Sequence, residues 1–344
     1  MSPHLVEEST PSRQRGGSSA AEFDLTLSEN PFPPLPSVLR AVNSALAQAN
    51  RYPEFLPREL PALIARHLGL HPDQVVVGSG ATGVALQIMQ SLTASGAGIV
   101  YATPTFDGYP IMAEMTGLET VAVPLDSAGE QDLPAMARAI DKRTGLVAVC
   151  RPHNPTGTVV SARELTAFLG EVPARVPVIL DEAYVEFLGA AEYIDPLALL
   201  RRHPNLLVLR TFSKAYGLAG LRIGYAFGRR ELVARVRTLQ LPFGMSAAAV
   251  AAVSACYAAE PELAARTMRI TAERDALRDA LRRCGIAVPR SHANFLYLPG
   301  PGVATALRRA GIAAKAYPDG SARIAVGDPV AAHAVLRALE TLRR

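Results

Sequence analysis

The residues best suited to chemistry lie in Thr211-Phe212-Ser213-Lys214-Ala215-Tyr216-Gly217-Leu218-Ala219-Gly220-Leu221-Arg222. An apolar run, Leu206-Leu207-Val208-Leu209, precedes them and reads as a short buried strand. An amine just past such a strand end is nucleophilic where burial and nearby positive charge favour its neutral form. The hydroxyls of Thr211 and Ser213 and the guanidinium of Arg222 suit a phosphate, with the arginine as a bidentate fork. An imine-forming amine beside a phosphate site points to pyridoxal 5'-phosphate. Taken alone, the stretch also reads as an ordinary surface loop, so its meaning depends on what accompanies it.

Other strand ends carry complementary groups. Asp181 follows the apolar run Val178-Ile179-Leu180. A buried carboxylate is costly unless paired, and a protonated pyridine nitrogen would pair it and turn the ring into an electron sink. It could equally cap the next element. Tyr184, three residues on, could donate to a ring's phenolic oxygen. Asn154, in Arg151-Pro152-His153-Asn154-Pro155-Thr156-Gly157, could donate to the same oxygen, although Asn-Pro-Thr-Gly is by itself a turn. A cis Asn154–Pro155 bond is expected there. Phe106 follows Thr103-Pro104-Thr105 and could stack on a flat ring or pack in the core. Arg323, in Ser321-Ala322-Arg323-Ile324-Ala325-Val326, needs an anionic partner such as a substrate carboxylate if it faces inward, and none if it faces solvent.

Gly78-x-Gly80-x-x-Gly83 lies between a strand and a helix, as a dinucleotide fingerprint does. The next strand ends in Tyr101-Ala102-Thr103-Pro104, without the acid that would hold a ribose. The turn therefore reads as an amide nest for a single phosphate at a helix N-terminus, or as a tight turn with no ligand. The histidines show no metal spacing, and no nucleophile-elbow pattern surrounds a serine or cysteine.

These residues need a scaffold of alternating strands and helices. Strands are expected at residues 74–77, 98–101, 119–123, 146–150, 176–180, 206–209 and 222–226. Helices are expected at residues 37–49, 58–68, through about 93, and at 107–115, 133–140 and 161–169, with Ser37 as an N-cap of the first. The pattern implies an α/β fold with a mostly parallel sheet and ligands at the carboxyl ends of its strands. From residue 241 the style changes: helices over 246–258 and 261–283, short strands at 295–298 and 322–326, and helices at 303–310 and 329–343 suggest a smaller α+β unit. The expected division is 1–20 disordered, 21–48 an arm and helix joining the small domain, 49–240 the large domain and 241–344 the small domain.

Composition narrows the function. The chain has 344 residues, 49% of them hydrophobic and 19% charged, a globular balance. A net charge of only +4, without a basic run, argues against nucleic acid as a partner. No stretch approaches the ~18 uninterrupted apolar residues of a membrane span. Cys150, Cys256 and Cys284 form no disulfide framework, and a reducing cytoplasm is expected.

With Asn154, Asp181, Lys214 and Arg222 at these spacings, the chain resembles the fold-type I, class I/II aminotransferases that use pyridoxal 5'-phosphate. Within that family it resembles the histidinol-phosphate and aromatic amino acid aminotransferase branch. Asn154-Pro155-Thr156-Gly157, Asp181-Glu182-Ala183-Tyr184-Val185-Glu186-Phe187 and the stretch from Thr211 to Tyr225 carry the resemblance. It implies that Lys214 holds the cofactor as an imine and Asp181 binds its ring nitrogen. Asn154 and Tyr184 would bind the phenolic oxygen, and Phe106 would stack on the ring. Thr211, Ser213, Arg222 and the amides of Ala81 and Thr82 would hold the phosphate. Tyr52 would reach it from a partner subunit, which implies a homodimer with shared active sites. Arg323 and Asn154 would bind substrate. The chain departs from the family's usual Asn-Glu-Asn-Pro, having Ser28-Glu29-Asn30-Pro31.

The implied reaction is ping-pong transfer of an amino group from an aromatic amino acid or histidinol phosphate to a 2-oxo acid such as 2-oxoglutarate. Another reaction of the same cofactor on this fold (decarboxylase, lyase or oxidase) is the alternative. A DNA-binding regulator built on the same core would need a module larger than the roughly twenty residues before Ala21.

Overall fold

A computed structural model describes residues 22–340. The expected disordered stretch over residues 1–20 lies outside them. In chain order the elements are β1 (Phe23–Asp24), α1 (Pro36–Leu46), α2 (Glu59–Leu68), β2 (Val75–Ser79), α3 (Gly80–Leu92), β3 (Gly98–Thr103), α4 (Gly108–Thr116) and β4 (Glu119–Pro124). There follow α5 (Leu133–Arg138), β5 (Thr144–Cys150), α6 (Ala162–Glu171), β6 (Val178–Asp181), α7 (Pro196–Arg202), β7 (Leu206–Thr211), β8 (Ile223–Gly228) and α8 (Arg230–Arg237). The rest comprises α9 (Ala247–Ala258), α10 (Glu260–Arg283), β9 (Phe295–Leu298), α11 (Val303–Arg309), β10 (Ile312–Ala313), β11 (Lys315–Ala316), β12 (Ala322–Ala325) and α12 (Pro329–Glu340).

A seven-stranded sheet runs β2-β8-β7-β6-β5-β3-β4. All neighbours are parallel except β8, which is antiparallel to both β2 and β7. Strand β6, Val-Ile-Leu-Asp, is buried throughout, as a central strand covered on both faces must be. Its residues alternate between two cores. Val178 and Leu180 pack with β7 Val208 and helices α2, α6 and α9, whereas Ile179 packs with β7 Leu207 and helices α3, α4 and α8. A third core joins the antiparallel sheet β11-β12-β9 to α10, α11 and α12.

Local chemistry sets several boundaries. Ser161 and Glu164 close a capping box on α6, and α2 ends at Gly69 in the left-handed region at φ 69°. At α1 the expected Ser37 cap is corrected. Pro36 occupies the first turn, where its missing N–H costs nothing, and Leu35 precedes it without a side-chain cap. The packing also cuts across the expected domain boundaries. Val38 and Val42 of α1, and Ala248, Ala249, Ala252 and Val253 of α9, lie in the core of the large sheet rather than that of the small one. The small side chains of α9 suit close packing there.

Pairing in the small sheet sets which of its residues share a face and where the arm runs. In register, Lys315, Arg323 and Tyr297 are neighbours across β11, β12 and β9 and share one face. The N-terminal arm is tied down by β1, which pairs in parallel with β10 (Phe23 with Ile312), and by Ala325 N, which donates to Leu25 O at 3.0 Å.

Candidate active site

The residues anticipated at the strand ends converge. Lys214 stands in the turn after β7, and its Nζ donates to the carbonyl of Ser28 at 3.0 Å and lies 3.2 Å from Ser28 Oγ. The arm is laced to this turn. Asn30 Nδ2 donates to Ala215 O at 2.9 Å and Lys214 O at 3.2 Å, and Asn294 Nδ2 donates to Ser28 O and Glu29 O. Tyr184 OH lies 2.9 Å from Ser28 Oγ, and Lys214 Nζ sits 5.6 Å from the centre of the Tyr184 ring.

Asp181 ends β6 and is buried. Its Oδ1 accepts from Ala183 N at 3.0 Å, the local cap that the sequence allowed. Its Oδ2 accepts from Tyr109 OH at 2.9 Å, and Cys150 Sγ is 3.9 Å away. Desolvation raises the carboxyl above its ordinary range, against the Tyr109 and Ala183 hydrogen bonds and the more distant charge of Lys214. No ion pair among the described residues satisfies it within the chain, so the site retains a demand for a cationic partner.

Asn154 and Arg323 meet. Arg323 NH1 donates to Asn154 Oδ1 at 2.6 Å and NH2 to Thr26 O at 2.8 Å, and the guanidinium lies 5.3 Å from the Phe295 ring centre. Arg323 is thus the inward-facing alternative. With Oδ1 taken, Asn154 has Nδ2 as its free donor. The Asn154–Pro155 bond is cis, as expected, and so are Thr103–Pro104 and Arg151–Pro152. His153 is buried, with burial pulling it down to about 3, so it is a neutral core residue.

A cradle for an anion forms where α3 begins. Gly80 N donates to Arg222 O at 3.0 Å. A Cβ at Gly80 would stand 2.2 Å from Arg222 NH2, and one at Gly224 would stand 2.1 Å from Ala81 N. Only glycine at both positions lets the Arg222 guanidinium and the Ala81 backbone approach the turn this closely. The thirteen-residue α3 directs its positive dipole end there. Ser213 Oγ is 3.5 Å from Arg222 NH1. Thr211 Oγ1 accepts from Ser213 N at 3.1 Å and lies 2.9 Å from Ser213 Oγ and 3.2 Å from Ile223 O, so it braces Ser213.

Phe106 is partly buried and meets Tyr109 edge to face at 6.1 Å, between core and site. Tyr52 stands apart. It is 84% exposed and packs on Phe243 at 4.8 Å, beside Phe55 at 5.1 Å from the same ring.

Sequence reasoning missed Ser28, Tyr109, Cys150 and the tyrosines of the small sheet. Tyr297 shares the Arg323 face, and Tyr317 packs on Tyr297 at 5.6 Å. The period of two in Phe295-x-Tyr297 and Lys315-x-Tyr317 was the available signal for the last pair. Lys315 pairs with Asp107, next to Phe106, and so links the small sheet to the large one.

The sequence profile of the family described as aminotransferase class I and II matches residues 21–339. The aromatic amino acid aminotransferase of Streptomyces coelicolor is 41% identical over 345 residues, covering 98% of this chain and 96% of its own. That of Cutibacterium acnes is 45% identical over 284 residues, covering 82% of this chain and 81% of its own. Among solved structures, histidinol-phosphate aminotransferase from Sinorhizobium meliloti in complex with pyridoxal-5'-phosphate superposes with a TM-score of 0.86 at 28% identity. That match covers 94% of this chain and 90% of the other.

Proposed function

Because this chain belongs to the class I and II aminotransferase family, we propose that it moves an amino group from an aromatic amino acid or histidinol phosphate to a 2-oxo acid such as 2-oxoglutarate. The observation that carries this reading is one juxtaposition. A lysine amine, a buried carboxylate without a cation and a guanidinium-and-amide cradle lie at the ends of neighbouring strands. These residues fit pyridoxal 5'-phosphate, the cofactor of the family. The cradle suits its phosphate, the carboxylate its ring nitrogen and the amine its aldehyde. The names of the relatives support the donor class, as does Tyr297, which shares a sheet face with Arg323 and carries Tyr317 against it.

Bound there, the cofactor supplies an electron sink for the charge that develops when the donor's α-carbon loses its proton. The chain's residues do the rest. Arg222, Ser213 and the amides of Ala81 and Thr82 hold the phosphate, while Thr211 keeps Ser213 in place. Asp181 holds the proton on the ring nitrogen, since a buried carboxylate beside a cation is far cheaper than one alone. Asn154 Nδ2 and Tyr184 OH would donate to its phenolic oxygen, and Phe106 would lie against the ring. Lys214 anchors the cofactor at rest. Freed from it, the Lys214 amine would be the group that takes up and gives back the proton of the donor's α-carbon. Arg323 receives the substrate carboxylate, with Asn154 and the Thr26 carbonyl setting its orientation. The 2-oxo product leaves before the acceptor enters, which is ping-pong order.

The same reading makes the enzyme a homodimer. Tyr52, Phe55, Leu56, Leu241 and Phe243 are exposed together, and their burial against a second copy would let Tyr52 reach the partner's phosphate site. The test is a visible spectrum of the cofactor-loaded protein against a panel of amino donors. Aromatic amino acids or histidinol phosphate should discharge the visible band, with stoichiometric amination of 2-oxoglutarate. Carbon dioxide or ammonia release without transfer would contradict the reading. Lys214→Ala should lose both turnover and the band.

A further inference from the structure

Ser28 takes no part in the roles above, yet it lies at the centre of the lysine's contacts. It is 3% exposed. Its carbonyl accepts from Lys214 Nζ at 3.0 Å and from Asn294 Nδ2 at 3.2 Å. Its hydroxyl is 3.2 Å from Lys214 Nζ and 2.9 Å from Tyr184 OH. Three groups that are far apart in sequence therefore form one chain, from amine to hydroxyl to phenol.

Counting hydrogens gives the chain a direction. A neutral amine has two N–H bonds and one lone pair. The carbonyl and hydroxyl oxygens of Ser28 take both donors, and the lone pair is the one valence left. Holding the donors fixed therefore aims the basic site away from the arm. Ser28 Oγ, accepting from the amine, keeps one hydrogen of its own, and the Tyr184 oxygen is the acceptor within reach. Tyr184 is then free to donate its own hydrogen onward. Hydrogen bonds linked in this way polarise one another. The arm can hold the arrangement, because Asn294 clamps Ser28 O and Glu29 O and Asn30 clamps the turn that carries Lys214.

We infer that the Ser28 hydroxyl is a positioning residue for the proposed reaction: it seats the released Lys214 amine with its lone pair presented for proton transfer and sets Tyr184 as a donor. This rests on the reading of Lys214 as the proton-transfer base.

The test uses cofactor-loaded wild type, Ser28→Ala, Ser28→Thr and Ser28→Cys. The backbone carbonyl persists in all of them, so the series isolates the hydroxyl, and the cysteine keeps the volume with weaker hydrogen bonds. Two readouts are taken: the pH midpoint of the visible band without substrate, and single-turnover rates with a donor carrying hydrogen or deuterium at its α-carbon. Ser28→Ala should slow the single turnover about tenfold, the loss of one well-made hydrogen bond. Its isotope effect should grow, its donor affinity should stay within about twofold and its midpoint should rise. Ser28→Thr should restore the rate to within about threefold, and Ser28→Cys should fall between. Wild-type rate and midpoint in Ser28→Ala would overturn the inference, as would a Ser28→Thr protein that loads cofactor yet is as slow as Ser28→Ala. A failure of the underlying reading shows elsewhere: Lys214→Ala would keep the band, and the inference would fall with it.

Discussion

Two carboxylates stand side by side at the end of β6 and live in opposite conditions. Successive strand residues point to opposite faces, so Asp181 faces the side of α3 and α4 while Glu182 faces the other core. Glu182 is answered within the chain. Arg210 Nε donates to its Oε2 at 2.8 Å, and NH2 is 2.7 Å from the same oxygen, with both side chains largely buried. Among the described residues Asp181 is met by neutral donors, the Tyr109 hydroxyl, the Ala183 amide and the Cys150 thiol. On the proposed reading the charge that the chain itself neutralises holds the fold, and the one left unneutralised would be met by the cofactor's ring nitrogen.

The largest effect should come from breaking the functional side. Asp181→Asn keeps the shape and removes the charge. It should lower kcat by about a thousandfold, with a fold stability equal to or above that of wild type, since an uncompensated buried carboxylate has been removed. Steady-state kinetics and thermal melts without cofactor check both halves. Glu182→Gln should do the reverse. It leaves Arg210 buried without its partner and should cost about 3–5 kcal/mol in denaturant unfolding, while the properly folded fraction keeps most of its kcat. The same pattern of kcat and stability changes in both variants would erase the distinction drawn between the faces.

A smaller effect sharpens the comparison on the Glu182 side. Glu186 lies near Arg210, its Oε2 is buried without a hydrogen-bond partner, and burial raises its carboxyl to about 7 from 4.5. The folded state therefore binds a proton more tightly than the unfolded state. Stability from this group is fully present below about pH 4.5 and is lost as pH rises toward and through 7. Glu186→Gln should flatten that decline, seen as a smaller drop in unfolding free energy between pH 5 and 8. An unchanged slope would mean that Arg210 compensates Glu186 as well as Glu182.

How far the sequence revealed this site follows from distance along the chain. Asn154, Asp181, Thr211 and Lys214 lie at or just past the ends of recognisable apolar strands, and a parallel sheet brings such ends together by its topology alone, whereas Arg222 stands at the start of the antiparallel β8 and reaches the same edge only because that strand is reversed. Ser28 carries no such mark. Its contact with Lys214 spans 186 residues and depends on an arm without helical or strand period, pinned by a two-residue pairing of β1 with β10. Tyr109 is similarly hidden, because within α4 it reads as one more apolar helix position until Asp181 is seen beside it. The reversed direction of β8 was also illegible, since alternation in Ile-Gly-Tyr-Ala-Phe-Gly is the same read either way. Elements of two residues, β10 and β11, are too short for any period to show. The helices α7 and α8 went unmarked as well: α7 is a single seven-residue stretch, and α8 starts amid Arg229 and Arg230, where charge masks the apolar stripe of Val233 and Val236.

The central claim is that Lys214 carries the cofactor. The sequence has only three lysines, Lys142, Lys214 and Lys315, which makes the decisive measurement simple. Purified holoenzyme is reduced with borohydride, digested, and its peptides are mapped by mass. The account predicts one pyridoxyl-phosphate label, on the peptide containing Lys214, and its disappearance in Lys214→Ala. A label on Lys142 or Lys315 in the wild-type protein, or none at all on a chain that still transfers amino groups, would contradict it.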